Sequence, residues 1–527
     1  MAEPWANSPP EPEPEPEPEP DPGPESATRP AAPPGSVDLH LDLDLGGPGG
    51  VRASLLRALR EAVRSGRLAP GTRLPPSRSL AADLGVARNT VADAYGELVA
   101  EGWLSARQGS GTRVARRSET RSGRPPASRR APQPPRPSDH RPFQPFHGNG
   151  GGSLYAGSPD VSAFPRAAWL AAARRALAVA PASAFGYGDP RGCVELRRAL
   201  ADYLARARGV RTDPERIVVC SGFTQGLSLL GRTLRRNGAR TLAVESYGLD
   251  VHRGVVTTAG LRTTPLTIDH HGADIRQLTV RQSPGGVLLT PAHQFPTGVP
   301  LHPDRRAAAV DWARSTGGLI LEDDYDGEFR YDRQPVGALQ GLDPERVAYL
   351  GTASKSLAPG LRLGWMALPG HLVDQVTAEK GAGERHPSIL DQLTLAEFIT
   401  SGGYDRHLRA MRLRYRRRRD RLVAALAERV PAVRVSGIAA GLHAVLRLPP
   451  GTEREALRAA DWLGLSVQGL DSFRYPGSAA APAVPSTAAA ADGLVVGYGT
   501  PAEHAFAEAL ESLCQVLEAI DGTRQLP

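Results

Sequence analysis

A chain of 527 residues, 40% hydrophobic and 23% charged, is too long for one ordinary domain and apolar enough for two or more cores. Its formal net charge of +7 is unevenly spread: Glu11 to Asp21 alternates acid with proline, so the remainder is more basic than the total, which permits a nucleic-acid partner without requiring one. Cys193, Cys220 and Cys514 are too scattered for a disulfide framework or a zinc site, and no apolar run approaches the roughly 20 residues of a membrane span, so the expectation is a soluble, cytoplasmic protein with no membrane partner.

Residues 1–50 form an acidic, proline-rich tail and lead-in. Its composition cannot bury enough apolar surface to offset the entropy of ordering, which predicts disorder. Leu55 to Val63 then places apolar residues at helical spacing. The run Pro70 to Pro76 stops that helix, and Ser77 is expected to cap a second one, Arg78 to Leu84, closed by Gly85. A third helix, roughly Arg88 to Glu101, has Val91, Ala94, Tyr95, Leu98 and Val99 as its inner face. Two short helices around a glycine-containing turn predict a helix-turn-helix, with Arg88, Asn89 and Thr90 at the start of the helix that would enter the major groove. Trp103 to Val114 reads as a hairpin tipped by Gln108 to Gly111, where glycine allows the backbone close to a phosphate. The unit spans 51–115. Residues 116–142 are dense in Arg and Pro and predict an extended linker whose arginines either rest on phosphates or are simply solvated.

From 143 to 520 the pattern becomes α/β. Apolar runs at Ile217–Val219, Thr241–Val244, Gly286–Leu289, Gly318–Leu321 and Arg346–Leu350 alternate with helical stretches, as buried parallel strands do. Lys355 follows the last run, beside Thr352 and Ser354 and seven residues before Arg362. A lysine among hydroxyls and glycines, with an arginine nearby, can form a Schiff base while its surroundings hold a phosphate; an ordinary surface lysine is the alternative. Glu322 to Asp326 ends a strand in carboxylates, one of which could pair with a protonated pyridine nitrogen. A metal site is the weaker reading, since no histidine stands at ligand spacing, and none is expected. Val218 to Leu227 runs from strand through Gly222 into a helix whose first amides suit phosphate.

Two resemblances join these observations. Leu74 to Arg78, Leu84 to Val91, Glu101-Gly102 and Gly109 to Thr112 resemble the winged helix of the GntR superfamily. This implies contacts to double-stranded promoter DNA from Arg78, Arg88, Asn89, Thr90, Gln108 and Gly109, with Ala87 standing where Ser or Thr is common. Tyr187 to Gly192, Thr290 to Gly298, Glu322 to Tyr331, the lysine loop and Arg406 to Arg412 resemble fold-type I aminotransferases. Fused to a winged helix, the set resembles the MocR family of regulators. The implied cofactor is pyridoxal 5'-phosphate, with Lys355 as the catalytic lysine of the internal aldimine. Asp323 would face the ring nitrogen and Tyr325 the phenolic oxygen. Phe223, Thr224, Thr352, Ser354 and Arg362 would bind the phosphate, and Tyr187 would reach across a homodimer interface.

Two departures bear on activity. Leu249 takes the place of the ring-stacking aromatic, with Tyr247 two residues early. Asp492 to Gly499 lacks the arginine that forks onto a substrate carboxylate, although Arg474 lies upstream. The expectation is a regulator that senses the cofactor or an amino compound; the alternative is a working aminotransferase with a DNA-binding appendage.

Overall fold

The computed structural model describes residues 50–64, 68–107, 111–115, 152–278, 284–331, 336–381, 387–476 and 492–524. The acidic tail, the linker at 116–142, Gln108 and Gly109 of the wing, and the Ala/Pro-rich insertion at 478–491 lie outside these residues.

The N-terminal unit comprises α1 (Gly50–Arg64), α2 (Ser77–Asp83), α3 (Arg88–Ala100) and an antiparallel hairpin of β1 (Leu104–Arg107) and β2 (Gly111–Val114). Leu55, Leu59, Leu80, Val91, Ala94 and Leu98 are buried in one core, the outcome of the apolar spacing that predicted the helices. The capping expectation for Ser77 is corrected. Ser77 is already helical, Pro76 occupies the cap position, and no side chain caps the helix, so the proline ring's fixed φ (−55°) starts the turn instead of a hydroxyl. Gly85 takes φ +63° after α2, and Tyr95 Oη donates to Pro75 O at 3.0 Å, fastening α3 to the turn before α2.

The large domain begins with α4 (Arg166–Val179) and α5 (Val194–Arg208). There follow β3 (Ile217–Cys220), α6 (Phe223–Arg236), β4 (Thr241–Glu245), α7 (Asp250–Thr258), β5 (Arg262–Leu266) and a short ribbon of β6 (Ile268–Asp269) and β7 (Gly272–Ala273). Then come β8 (Gly286–Leu289), α8 (Pro303–Thr316), β9 (Leu319–Asp323), β10 (Val347–Thr352) and β11 (Gly364–Ala367). The strands form a seven-stranded sheet in the order β3-β11-β10-β9-β8-β4-β5, parallel except for β11, which runs against both neighbours. Every residue of β3, β8, β9 and β10 is buried, which is why these strands read as continuous apolar runs. Crevices outside the carboxyl ends of parallel strands are where such sheets take ligands, and here those ends bring Glu245, Thr290, Asp323 and Thr352 to one edge.

Helices α9 (Val373–Gly381), α10 (Ile389–Thr400) and α11 (Gly403–Arg429) lead to a smaller antiparallel sheet. Its strands β12 (Arg434–Ser436), β13 (Ala444–Arg447), β14 (Gln468–Gly469) and β15 (Gly493–Val496) lie in the order β12-β13-β15-β14, beside α12 (Glu453–Trp462) and α13 (Phe506–Arg524).

The winged helix seats on the large domain. Trp103 and Leu104 share an apolar cluster with Val310, Leu339 and Leu342. Glu101, just past α3, is 5% exposed, takes Arg60 Nη2 at 2.6 Å, and packs so closely on Gly337 that a Cβ there would lie 2.7 Å from Glu101 Oε1. Arg306 on α8 is fully buried and donates to Gly337 O at 2.7 Å. The acids acting on it are Glu322 on β9, Glu101 and, more weakly, Asp324, and its Nε and Nη1 have no hydrogen-bond partner among the described residues.

Candidate functional site

Eight of the sequence-predicted residues line one cavity of about 300 Å³, a small-molecule volume: Phe223, Thr224, Asp323, Tyr325, Thr352, Ser354, Lys355 and Arg362. Lys355, in the turn after β10, points its amine to Gly157 O. Burial pulls this amine below the ordinary lysine range against the opposing pull of Asp323 and Asp326, so more of it is in the neutral, nucleophilic form than in water.

Asp323 closes β9 at 6% exposure, and its Oδ1 has no hydrogen-bond partner among the described residues. Burial pushes this carboxyl well up, with Lys355 pulling the other way. A buried acceptor without a donor is costly unless a ligand supplies one, and a protonated ring nitrogen is such a donor.

Opposite it lies an anion cradle. Gly222 has φ +92°, which lets the chain turn from β3 into α6 with the amides of Phe223 and Thr224 at the helix start. Arg362, itself at φ +50°, lies over this turn; its Nη2 donates to Ser221 O at 2.5 Å, and a Cβ at Gly222 would lie 3.3 Å from its Nη1. Thr352 Oγ1 accepts from Ser354 N at 3.1 Å and donates to Ser354 Oγ at 2.9 Å, holding both hydroxyls at the cavity wall. An arginine, two hydroxyls and a helix start match a phosphate.

The structure therefore fits pyridoxal phosphate at three points: an amine, an orphaned acid and an anion cradle. Leu249 and Tyr247 also line the cavity, as do His252 and Glu245, which the sequence reading missed. The His252 ring packs on Phe223 with centroids 4.6 Å apart, and burial together with Lys355 pushes it down to about 3, so it is a neutral imidazole. Glu245 is pushed up to about 7 by burial and accepts from Thr290 and Gln294. Neither residue carries a signal in a single sequence, since both stand in unremarkable strand-to-helix surroundings.

Tyr187 is not in this cavity; it stands 91% exposed. Arg474 is not a lining residue either, and its guanidinium is paired with Asp471. The lining cations among the described residues are Lys355, Arg253 and Arg362. Arg253 is tied to Gly248 O at 3.1 Å and to Asp250. Among the described residues, no fork for a substrate carboxylate stands ready.

On the winged helix, Arg78, Arg88 and Asn89 are exposed and Thr90 half-exposed, with Arg88, Asn89 and Thr90 forming the first turn of α3. Their polar ends face solvent, a geometry open to a nucleic-acid groove.

Residues 154–469 match the aminotransferase class I and II family, and residues 52–114 match the bacterial regulatory proteins of the gntR family. The chain is 32% identical over 510 residues to a probable rhizopine catabolism regulatory protein, MocR, of Rhizobium meliloti, covering 93% of this chain and 98% of the relative. It is 32% identical over 421 residues to the pyridoxine biosynthesis transcriptional regulator PdxR of Corynebacterium glutamicum, covering 78% and 86%. Among solved structures, an archaeal alanine:glyoxylate aminotransferase superposes with a TM-score of 0.62 at 24% identity, covering 71% of this chain and 92% of that one; this likeness concerns the fold.

Proposed function

This chain belongs to the MocR family of GntR-type transcription regulators, and from that premise we propose that the occupancy of the Lys355 cavity governs how its winged helix sits on promoter DNA. Pyridoxal phosphate is the cofactor; it supplies an aldehyde that condenses with amines and a ring that withdraws electrons. Lys355 offers the amine. Asp323 Oδ1 would accept from the ring nitrogen, and Tyr325 would face the phenolic oxygen. Phe223 and Thr224 amides, Thr352, Ser354 and Arg362 hold the phosphate. The protein is a homodimer in which exposed Tyr187 completes the partner subunit's cradle. Residues 51–115 are the reading head, 116–142 the tether and 143–520 the sensing domain, all in the cytoplasm.

On DNA, Arg88, Asn89 and Thr90 read bases from the major groove, while Arg78, Gln108 and Gly109 hold phosphates. The ligand is the cofactor itself or an amino compound that competes with Lys355 for it. The relative named for pyridoxine biosynthesis supports the first form. The absence of a carboxylate-forking arginine among the described lining residues favours sensing over turnover.

The observation that carries this reading is that Asp323 Oδ1, without a hydrogen-bond partner among the described residues, lines the same cavity as Lys355. The test is promoter-fragment binding by anisotropy with and without pyridoxal phosphate, over a range of salt. A ligand-dependent affinity that Lys355→Ala abolishes, together with the visible band, supports a regulator; steady amino-donor turnover with ligand-indifferent DNA binding refutes it.

A further inference from the structure

Tyr325 lines the cofactor cavity, and behind it lies a cluster to which the function above gives no work: His293, Asp326 and His443, exposed by only 3, 2 and 4%. His293 Nδ1 stands 2.8 Å from Asp326 Oδ2, and Tyr325 Oη stands 3.1 Å from the same nitrogen. The Asp326 carboxylate also bears on the Tyr325 phenol, favouring retention of its proton. The three ligand-type atoms of His293, Asp326 and His443 fall within 4.8 Å of one another. The backbone at Gly441, at φ +72°, is pressed onto the pair: a Cβ there would lie 2.3 Å from Asp326 Oδ2 and 2.4 Å from His293 Cε1. The His293–Asp326 contact is a direct hydrogen bond. His443 donates from Nε2 to Pro296 O at 3.0 Å; burial pushes it down to about 3, so it is a neutral wall of the cluster.

Counting protons gives the cluster a role. Burial, and then the Asp326 charge, push the Tyr325 phenol well above its ordinary range, so it keeps its one proton. If His293 Nδ1–H and the phenol both donate to Asp326, the cavity sees only the lone pairs of Tyr325. If one more proton settles on the Asp326 carboxyl itself, that group no longer competes as an anion and the phenolic hydrogen is released toward the cavity; a proton on the second nitrogen of His293 would leave the competition in place.

We propose that His293 and Asp326 are positioning residues for Tyr325: the proton content of this buried pair directs the single phenolic hydrogen of Tyr325 into the cofactor cavity or away from it, and so tunes the acidity of the cofactor held at Lys355. The proposal rests on the cofactor reading above. The other titratable groups facing the pair and Tyr325 are Lys355, Asp323 and Glu245 on the cavity side, with Tyr331, Tyr498 and His443 behind. None of them shares a hydrogen bond with both Tyr325 and Asp326, the geometry that His293 has.

The test uses the full chain reconstituted with pyridoxal phosphate and follows the visible absorbance of the bound cofactor against pH. Asp326→Asn removes the competing charge and frees the Tyr325 hydrogen, so the titration midpoint falls by about one pH unit. His293→Gln leaves Tyr325 as the main donor to Asp326, so the midpoint moves the other way. In a Tyr325→Phe background both shifts shrink to less than about a third, the coupling expected of groups acting through a shared partner. Midpoints that stay put in both variants overturn the proposal, as do shifts that persist at full size without the Tyr325 hydroxyl, which would mark plain long-range electrostatics. If one variant does not fold, the other decides the question alone. A wild-type chain with no visible band would instead overturn the cofactor reading, an outcome distinct from a band that is present and unmoved.

Discussion

Glu322 and Asp323 are consecutive residues of β9 that serve opposite sides of the sheet. Glu322 accepts the amides of Leu339 and Gln340 at 2.6 and 2.8 Å, next to buried Arg306 and the winged-helix seam, whereas Asp323 faces the cofactor cavity. Alternation along a strand imposes this division. It places the acid assigned to the ring nitrogen one peptide from the charge that faces the seam.

That adjacency predicts where coupling is lost. Arg306→Met, which keeps the volume and removes the charge between Glu322 and Glu101, should leave cofactor uptake nearly intact. The cofactor-dependent change in DNA affinity should fall from about tenfold to under about twofold, the usual scale of such coupling energies. Parallel absorbance and anisotropy titrations measure the two quantities, and an unaltered ratio would remove Arg306 from the route.

The orphaned oxygen predicts a loss of affinity. Asp323→Ala should weaken pyridoxal phosphate binding by about 1.5–3 kcal/mol, ten- to a hundredfold in Kd, because a charge-assisted hydrogen bond is missing. Equilibrium titration of the visible band reads this directly, and affinity within twofold of wild type would show that the ring nitrogen is held elsewhere.

At the reading head, Arg88→Ala should cost about 1–3 kcal/mol of specific DNA binding, whereas Arg78→Ala should weaken all sequences alike and flatten the salt dependence by about one. Anisotropy on promoter and scrambled fragments separates the two; equal losses on both fragments for Arg88→Ala would place that residue on phosphate.

His443 sets a pH signature. An unfolded histidine takes a proton below about 6.5, whereas folded His443 resists down to about 3 because burial and His293 disfavour its charge. The folded state thus binds fewer protons across that window, and stability is lost as pH falls through it. At pH 5 the cost is about 2 kcal/mol, and His443→Gln does not carry it. The difference in Tm, variant minus wild type, should therefore be more favourable at pH 5 than at pH 7.5 in calorimetry on the apo chain; a difference independent of pH would contradict the buried neutral imidazole.

Much of this was legible from residues alone, for physical reasons that differ by element. β3, β8, β9 and β10 are buried on both faces and so announce themselves as apolar runs; β9 and β10 each continue to a polar final residue, Asp323 and Thr352, that a reading of hydropathy stops short of. The lysine loop was readable because its chemistry is local: Thr352, Ser354, Lys355 and Arg362 sit within eleven residues. The His293–Asp326 pair was not, because it joins residues 33 positions apart through the ends of two strands. Arg306 stands in Pro-Asp-Arg-Arg, where nothing local marks it as buried; the tertiary packing around Gly337 and Glu322 encloses it. Ser77 looked like a cap because hydroxyls favour that position, yet the proline before it had already set the backbone.

Four acids crowd the end of β9 and the turn beyond it: Glu322 at the seam, Asp323 in the cavity, Asp324 clamped by Arg208 at 2.7 Å and Tyr349 at 2.8 Å, and Asp326 on His293. Because the pleat has a period of two, inserting one residue ahead of Glu322 would hand Glu322 to the cavity and take the acid from the seam, whereas deleting one would hand Asp323 to the seam and Asp324 to the cavity. This segment should tolerate conservative replacement at single positions while refusing any change in length, so grafts between relatives ought to be joined well upstream of it.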